Sequence, residues 1–460
     1  EKQPSNLFFI RPRRFGKSIF LSMLRTYYDI AQKEKFEKRF SNLWIGSRPT
    51  QLQGTFQILF LDFSRVGGLD RTLAENFDDY CCGGLDDFAS IYEPYYYPGF
   101  EEEMKAQYGT TNKLNFLDRK ARNNGSKLYL IVDEYDNFTN VVLNEQGDKV
   151  YHALTHASGF YREIFKKFKG MFERIFMTGV SPVTLDDLTS GFNIGWNIST
   201  DHQFNMMLGF SETDVREMIQ YYKDAGQLPG NTNIDAMIEE MRPWYDNYCF
   251  AEESLERDPK MFNCDMVFYY LRHYMTLGKS PKEMIDPNTR TDYNKMKKLI
   301  RLDKLDGNRK GVLRKITEDG QIVTTLTTTF PATDITKPEI FPSLLFYYGM
   351  LTINGTRGPM NILSIPNQTV REQLYGYMID IYKDSSGLNL EVEKLNILMY
   401  EMAYEGDWNP YFEYIVERLN KQSSIREFIE GEAHVKAFIL AYLGLNSYYI
   451  ARPEYESNKG

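Results

Sequence analysis

Several kinds of protein are excluded by what this chain has little of. Cysteine is scarce, with four in 460 residues. Cys81 and Cys82 are adjacent, Cys249 and Cys264 stand far along the chain, and no C-x-x-C pair exists. That pattern supports neither a disulfide framework nor a cysteine zinc site, so reduced thiols in a cytoplasmic protein are expected. Histidine is also rare, at five residues. His152 and His156 stand four apart, but the Glu of H-E-x-x-H and a third ligand are missing, so they read as ordinary histidines. No apolar run reaches the roughly 18 residues of a membrane helix, and no membrane partner is expected. Positive charge is not in excess: 54 Lys and Arg face 63 Asp and Glu, a net charge of −9. A general nucleic-acid coat is thereby disfavoured, because phosphate affinity comes from neutralising cations. Internal repeats and low-complexity tracts are absent.

Aromatic residues, by contrast, are plentiful at 15%. Exposed aromatics can serve glycan binding, which would require export; spread along the whole chain, they read instead as aromatic-packed cores. At about 100–200 residues per domain, the length allows two to four domains. The chain opens on Glu1 and reaches a strand-like run within seven residues, so the numbering is expected to describe a fragment.

The first 210 residues alternate short apolar runs with helical stretches, the pattern of a parallel α/β sheet. Strands are expected at Leu7–Arg11, Phe56–Phe63, Lys127–Val132, Arg174–Val180 and Phe204–Phe210, with a helix from Lys17 to about Ile30. Residues 70–125 read as a helical insertion broken at Gly83-Gly84. Ser211 reads as an N-cap, with Asp214 completing a capping-box variant. Residues 216–285 are expected to be helical, with a boundary at 278–290. Ser343–Ile353, a turn at Asn354-Gly355 and Asn361–Ile365 suggest a helix followed by a hairpin, an order that fits a winged-helix-like unit. Residues 387–445 have helical period, and Ser447–Glu456 reads as a strand.

The most informative stretch is RPRRFGKS, Arg11–Ser18, between a strand and a helix. A phosphate loop, G-x-x-x-x-G-K-[ST], wraps phosphate with backbone amides, reaches it with Lys and ligates Mg²⁺ through the hydroxyl. Gly16, Lys17 and Ser18 meet the second half, while Arg11 stands at the first Gly, where a Cβ restricts the turn. The candidate nucleotide contacts are Arg11, Arg13, Arg14, Phe15, Gly16, Lys17 and Ser18. Arg13 and Arg14 read either as phosphate-facing cations or, for at least one, as a structural charge. LYLIVDE, Leu128–Glu134, supplies a strand ending in two carboxylates. Asp133 there would hold Mg²⁺ with Ser18, and Glu134 would polarise the attacking water. In FMTGVS, Thr178 and Ser181 are candidate γ-phosphate sensors or ordinary strand-end hydroxyls.

With these residues in hand, the chain resembles the bacterial "AAA-ATPase-like" P-loop proteins. The resemblance rests on RPRRFGKS, IVDEYDNF at 131–138, TGVS at 178–181, LGFSETDV at 208–215 and WYDNY at 244–248. It implies ATP and Mg²⁺ as ligands, Lys17 and Ser18 as phosphate and metal contacts, Asp133 as the Walker B carboxylate and Glu134 as base. It also implies a C-terminal PD-(D/E)xK nuclease-like domain. Residues 431–460 are similar to that domain's opening, where Glu432 would be its helix acid; otherwise Glu432 is a solvated helix residue. The catalytic Asp and Glu-x-Lys are not reached, so no complete nuclease site is expected.

The expected architecture is therefore an α/β P-loop core at 1–215, a helical subdomain at 216–285, a winged-helix-like connector at 286–385 and an incomplete nuclease-like domain at 386–460. The expected function is Mg²⁺-dependent ATP hydrolysis controlling a nucleic-acid-directed module. A protein that senses ATP but scarcely hydrolyses it is the alternative, motivated by Arg11. Residues 294–316 carry nine Lys or Arg against two Asp. They read as a DNA- or RNA-facing surface or as a solvated helix face. Trp244 and Tyr245 are expected to pack the helical subdomain against the core.

Overall fold

Strands buried on both faces read as continuous apolar runs rather than alternating ones, and the N-terminal runs behave accordingly. The structure, a computed structural model, describes residues 1–2, 4–66, 72–136, 160–184, 195–288, 308–331, 337–386, 390–421, 432–444 and 449. His152, His156, residues 294–307 of the basic segment and residues 450–460 lie outside the described residues. The chain divides into two compact units, Glu1–Phe204 with Thr327–Ile335, and Asn205–Leu326 with Thr336–Gly460. Residues 205–215 thus belong with the second unit, and 327–335 with the first. Val183–Thr184 pairs in parallel with Phe330–Pro331, which accounts for the latter.

In the first unit, β1 (Asn6–Ile10), β2 (Gln57–Asp62), β3 (Leu128–Asp133), β4 (Arg174–Gly179) and β5 (Trp196–Asn197) form one sheet. Its order is β2-β3-β4-β1-β5, and every pairing is parallel. All six residues of β3 are buried. The register sets Asp62 beside Asp133 and Ile10 beside Gly179, so the strands finish along one edge. Helix α1 (Lys17–Tyr28) follows β1. Aromatic residues fill the core, as expected: Tyr28, Phe56 and Tyr129 meet with ring centroids 5.5–6.0 Å apart.

Two expectations fail here. Helix α2 (Leu73–Tyr92) runs unbroken through Gly83-Gly84, started by a Thr72–Glu75 capping box. Gly84 serves close packing, since a Cβ there would lie 2.8 Å from the Leu61 side chain on β2. The fifth strand is Trp196–Asn197, not Phe204–Phe210. The latter run begins at the end of a turn, His202–Phe204, contains a left-handed Gly209 (φ 102), and ends at Phe210 in an isolated bridge to Phe262.

The second unit opens with α3 (Glu212–Asp224), capped as expected by Ser211 and Asp214. Helices α4 (Ile234–Tyr245) and α5 (Cys264–Leu277) pack on it around Val215, Ile219, Met241 and Tyr270. Tyr245 is buried in this cluster, and Trp244 packs against it, so both serve the second unit's own core. Further on, α6 (Asn308–Asp319), β6 (Gln321–Thr324), α7 (Phe341–Tyr347), β7 (Thr352–Arg357) and β8 (Met360–Ser364) follow. The strands form an antiparallel sheet ordered β6-β8-β7. The hairpin turn falls at Gly358 (φ 61) rather than at Asn354-Gly355. There the register slips, with Ile362 opposite Gly355 and Leu363 opposite Ile353, leaving Asn354 as a bulge. Helices α8 (Gln368–Ser386), α9 (Val392–Tyr404), α10 (Asn409–Lys421) and α11 (Glu432–Leu443) complete the described chain.

The Ser211 hydroxyl accepts the Asp214 amide at 3.2 Å, and the Asp214 carboxylate accepts the Ser211 amide at 2.8 Å. Replacing Ser211 with Ala removes one half of this exchange and should destabilise the unit by about 1 kcal/mol. Urea unfolding checks this, and an unchanged midpoint would show that the cap contributes nothing.

Candidate functional site

A six-residue turn must reverse the chain between β1 and α1. Gly16 caps α1 in the left-handed region at φ 91, and Arg14 is also left-handed at φ 66. Arg11, at the position of the motif's first Gly, is not among the left-handed residues. Its Cβ therefore puts no left-handed strain on the loop.

The Arg11 side chain points into the protein and is 1% exposed. Its Nη1 donates to the carbonyls of Ile10 (2.9 Å) and Ser199 (2.7 Å), and its Nη2 donates to that of Phe204 (2.7 Å). The guanidinium also lies 4.3 Å from the centre of the Phe9 ring. These contacts tie the loop to residues 199–204. Among the other loop residues, Phe15 is fully buried, whereas Arg13 and Arg14 are half-buried.

Lys17 is buried, and its Nζ donates to the carbonyls of Arg11 (2.9 Å) and Pro12 (3.0 Å). Burial lowers its pKa below the ordinary lysine value, opposed by Glu134, Asp133 and Asp136, while nearby Arg13 adds to the lowering. One residue on, Ser18 Oγ donates to Asp133 Oδ2 at 2.7 Å. Residues expected to share a metal are thus in direct contact. The other Asp133 oxygen accepts the Glu134 amide at 2.9 Å, and Glu134 is left-handed at φ 50. Burial raises the Asp133 pKa, and the Ser18 hydrogen bond resists that rise.

Thr178 and Ser181 lie inside the fold rather than on an open face. Thr178 Oγ1 donates to the Phe9 carbonyl at 2.6 Å, stitching β4 to β1. Ser181 is fully buried; its carbonyl accepts the Tyr135 hydroxyl at 2.5 Å, and its amide donates to Asp136 Oδ2 at 2.7 Å.

Asp136 received no role in the sequence reading, although a third acid in IVDEYDNF was a usable signal. It is 1% exposed and accepts the amides of Val180, at 3.2 Å to each oxygen, and Ser181. Burial and the neighbouring Glu134 push its carboxyl up to about 6, against the opposing effect of those amides. Asp62 was missed as well. It ends β2 beside Asp133, where its charge helps to raise the Asp133 pKa, and it accepts from the Ser64 amide (3.0 Å) and Arg65 Nε (3.2 Å).

Comparison with known proteins agrees with this geometry. Residues 1–189 match a family model described as predicted AAA-ATPase, a span that contains the loop, both β3 carboxylates and TGVS. The match supports the P-loop family for this part of the chain, and the five-stranded parallel sheet is consistent with a P-loop core. The chain is also similar to a protein of Azotobacter chroococcum mcd 1 described as an uncharacterized protein in the vnfD 5' region. Identity is 26% over 258 residues, covering 55% of this chain and 44% of that protein. The chain thus spans under half the length of this curated relative.

Gly179 lies where β4 meets Asp136. A Cβ there would stand 2.3 Å from Asp136 Oδ1 and 2.9 Å from Tyr135, whereas one at Gly170 in the preceding helix would meet nothing within 4 Å. Gly179→Ala should therefore destabilise by about 1–3 kcal/mol. Gly170→Ala should instead stabilise by roughly 0.5–1 kcal/mol, as expected within a helix. Chemical denaturation of both variants checks the contrast. Equal midpoints would mean that the Asp136 carboxylate swings aside freely.

Proposed function

We propose that the first unit binds Mg²⁺-ATP and hydrolyses it to ADP and phosphate. The observation that carries this reading is the 2.7 Å hydrogen bond from Ser18 Oγ to Asp133 Oδ2, joining residues 115 positions apart. A phosphate-loop hydroxyl and a strand-end carboxylate form a hard oxygen donor set, which suits Mg²⁺. The residues present therefore fit the group. Magnesium, when bound, would neutralise charge on the phosphates.

In this reading Lys17 and the backbone amides of Phe15, Gly16 and Lys17 hold the phosphates, and Arg13 and Arg14 add positive charge at the loop. Ser18 and Asp133 hold the metal. Glu134 accepts the proton of the attacking water. Arg11, Thr178 and Ser181 act by positioning the backbone around the nucleotide.

The second unit is proposed to couple nucleotide turnover to a nucleic-acid-directed function. Its helices and β6-β8-β7 sheet support a winged-helix-like connector over 286–385, between a helical subdomain at 216–285 and a nuclease-like opening at 386–460. The basic run 294–316 is the proposed DNA or RNA contact. Among the described residues no helix is long and apolar enough to cross a membrane, which fits the proposed cytoplasmic setting.

Lys17→Ala should remove ATP affinity while leaving the fold intact. In the parent, Mg²⁺-ATP at about 100 times Kd should stabilise by about 2.7 kcal/mol. A thermal-shift titration of both proteins checks this, and equal stabilisation would place the phosphate site elsewhere.

Glu134→Gln should still bind ATP but hydrolyse it about 10²–10⁴-fold more slowly. Steady-state phosphate release provides the measurement. Equal turnover would remove Glu134 from the mechanism. Negligible turnover in the parent despite ATP binding would instead favour a nucleotide sensor.

A further inference from the structure

Asp133 ends β3, and the very next residue carries a second carboxylate. Successive side chains of a strand point to opposite faces, so an extended backbone would turn Glu134 away from Asp133. The chain does not stay extended. Glu134 is left-handed at φ 50, and among the described residues only Arg14 and Asn247 share a positive φ without being glycine. The Glu134 charge acts on Lys17 more strongly than the charges of Asp133 and Asp136 do, while Asp133 accepts from Ser18. The left-handed residue thus brings both carboxylates to bear on neighbouring residues at the start of α1.

A glutamate disfavours this conformation, because its Cβ crowds the following carbonyl oxygen, so contacts on either side must hold it there. Before the turn, Asp133 Oδ1 accepts the Glu134 amide at 2.9 Å. After it, two buried residues are tied to the end of β4. The Tyr135 amide donates to the Thr178 carbonyl at 3.1 Å, and the Tyr135 hydroxyl donates to the Ser181 carbonyl at 2.5 Å. Asp136 accepts the Val180 amide, at 3.2 Å to each oxygen, and the Ser181 amide at 2.7 Å. Its carboxylate packs against Gly179, where a Cβ would stand 2.3 Å from Oδ1.

We infer that Tyr135 and Asp136 are positioning residues, which fasten the turn to β4 and so hold Glu134 left-handed with its carboxylate toward Lys17. This role rests on the proposed action of Glu134 as the base in ATP hydrolysis, and it names what aims that base.

Two replacements loosen the turn with little change of shape. Tyr135→Phe removes the hydroxyl and keeps the ring against Phe8, whose centroid lies 5.4 Å away. Asp136→Asn exchanges one acceptor oxygen for a donor. Each should lower kcat for ATP about tenfold or more, while KM changes by less than about twofold. In a Glu134→Gln background the same replacements should cost little further, because the base they aim is gone. Unchanged kcat, a rise in KM alone, or equal losses in both backgrounds would overturn the assignment.

Melting temperatures test the held backbone without any turnover. Glu134→Gly should melt higher than Glu134→Ala, because glycine enters the left-handed region without steric cost. Adding Asp136→Asn to both should narrow that gap, since the turn is then freer to leave the left-handed region. If Asp136→Asn fails to fold, Tyr135→Phe serves in the same comparison. A Glu134→Ala protein as stable as Glu134→Gly, or a gap that neither replacement narrows, would also overturn the assignment. Absence of ATP turnover in the parent with this melting contrast intact would instead sink the ATPase reading and support the held turn.

Discussion

Four charged side chains are buried at one edge of the parallel sheet, and the geometry of the site follows from satisfying them. Arg11, Lys17, Asp133 and Asp136 are each no more than 6% exposed. A buried charge is strongly disfavoured unless it is paired or fully hydrogen-bonded. Arg11 finds carbonyls on residues 199–204, Lys17 finds carbonyls of its own loop, Asp133 finds Ser18, and Asp136 finds the amides after β4. Each pairing fixes a different segment against the same edge. Together they leave little freedom in where the loop can lie.

The same packing engages residues beside the loop. Thr178 spends its hydroxyl on the Phe9 carbonyl, and Gly179 is small because the Asp136 carboxylate occupies the space beside it. Residues 133–136 therefore make two sets of contacts from one short turn. Asp133 accepts from Ser18 of the loop, while Tyr135 and Asp136 fasten the end of β4. A change at Asp136 would reach the Ser18–Asp133 contact through the backbone of this turn.

The second unit solves a different problem. Its helices α3, α4 and α5 bury an apolar cluster, and the WYDNY segment leaves that cluster to meet the hairpin and α8. Asn247 is left-handed at φ 79, a conformation that Asn adopts more readily than most residues. The Asp246 carboxylate accepts the Asn247 amide at 2.6 Å and lies 3.3 Å from Arg242 Nη1. A motif that reads as packing in the sequence thus also fastens the start of α8.

Much of the parallel-sheet unit was legible because its signals are local. Apolar runs marked β1 to β4 to within about two residues, and the GKS and VDE segments marked the strand ends that carry Lys17, Ser18, Asp133 and Glu134. The Ser211 cap was legible for the same reason: its exchange with Asp214 spans three residues. Long-range packing decided the rest. Gly83-Gly84 looked like a helix break, but the close approach of Leu61 makes a small residue useful inside the helix. Asn354-Gly355 looked like a turn, but the pairing of β8 makes Asn354 a bulge. Arg11 stood in the sequence where the motif has its first Gly, and only the fold showed that its guanidinium donates to the carbonyls of Ser199 and Phe204, 188 and 193 residues away. By itself the sequence determined which segments become strands and helices and which of them end in chemistry-bearing residues, because propensity and hydrogen bonding act over a few neighbours. Only the tertiary structure decided where each charged side chain points, because a buried charge takes its partners from whatever backbone the fold brings beside it.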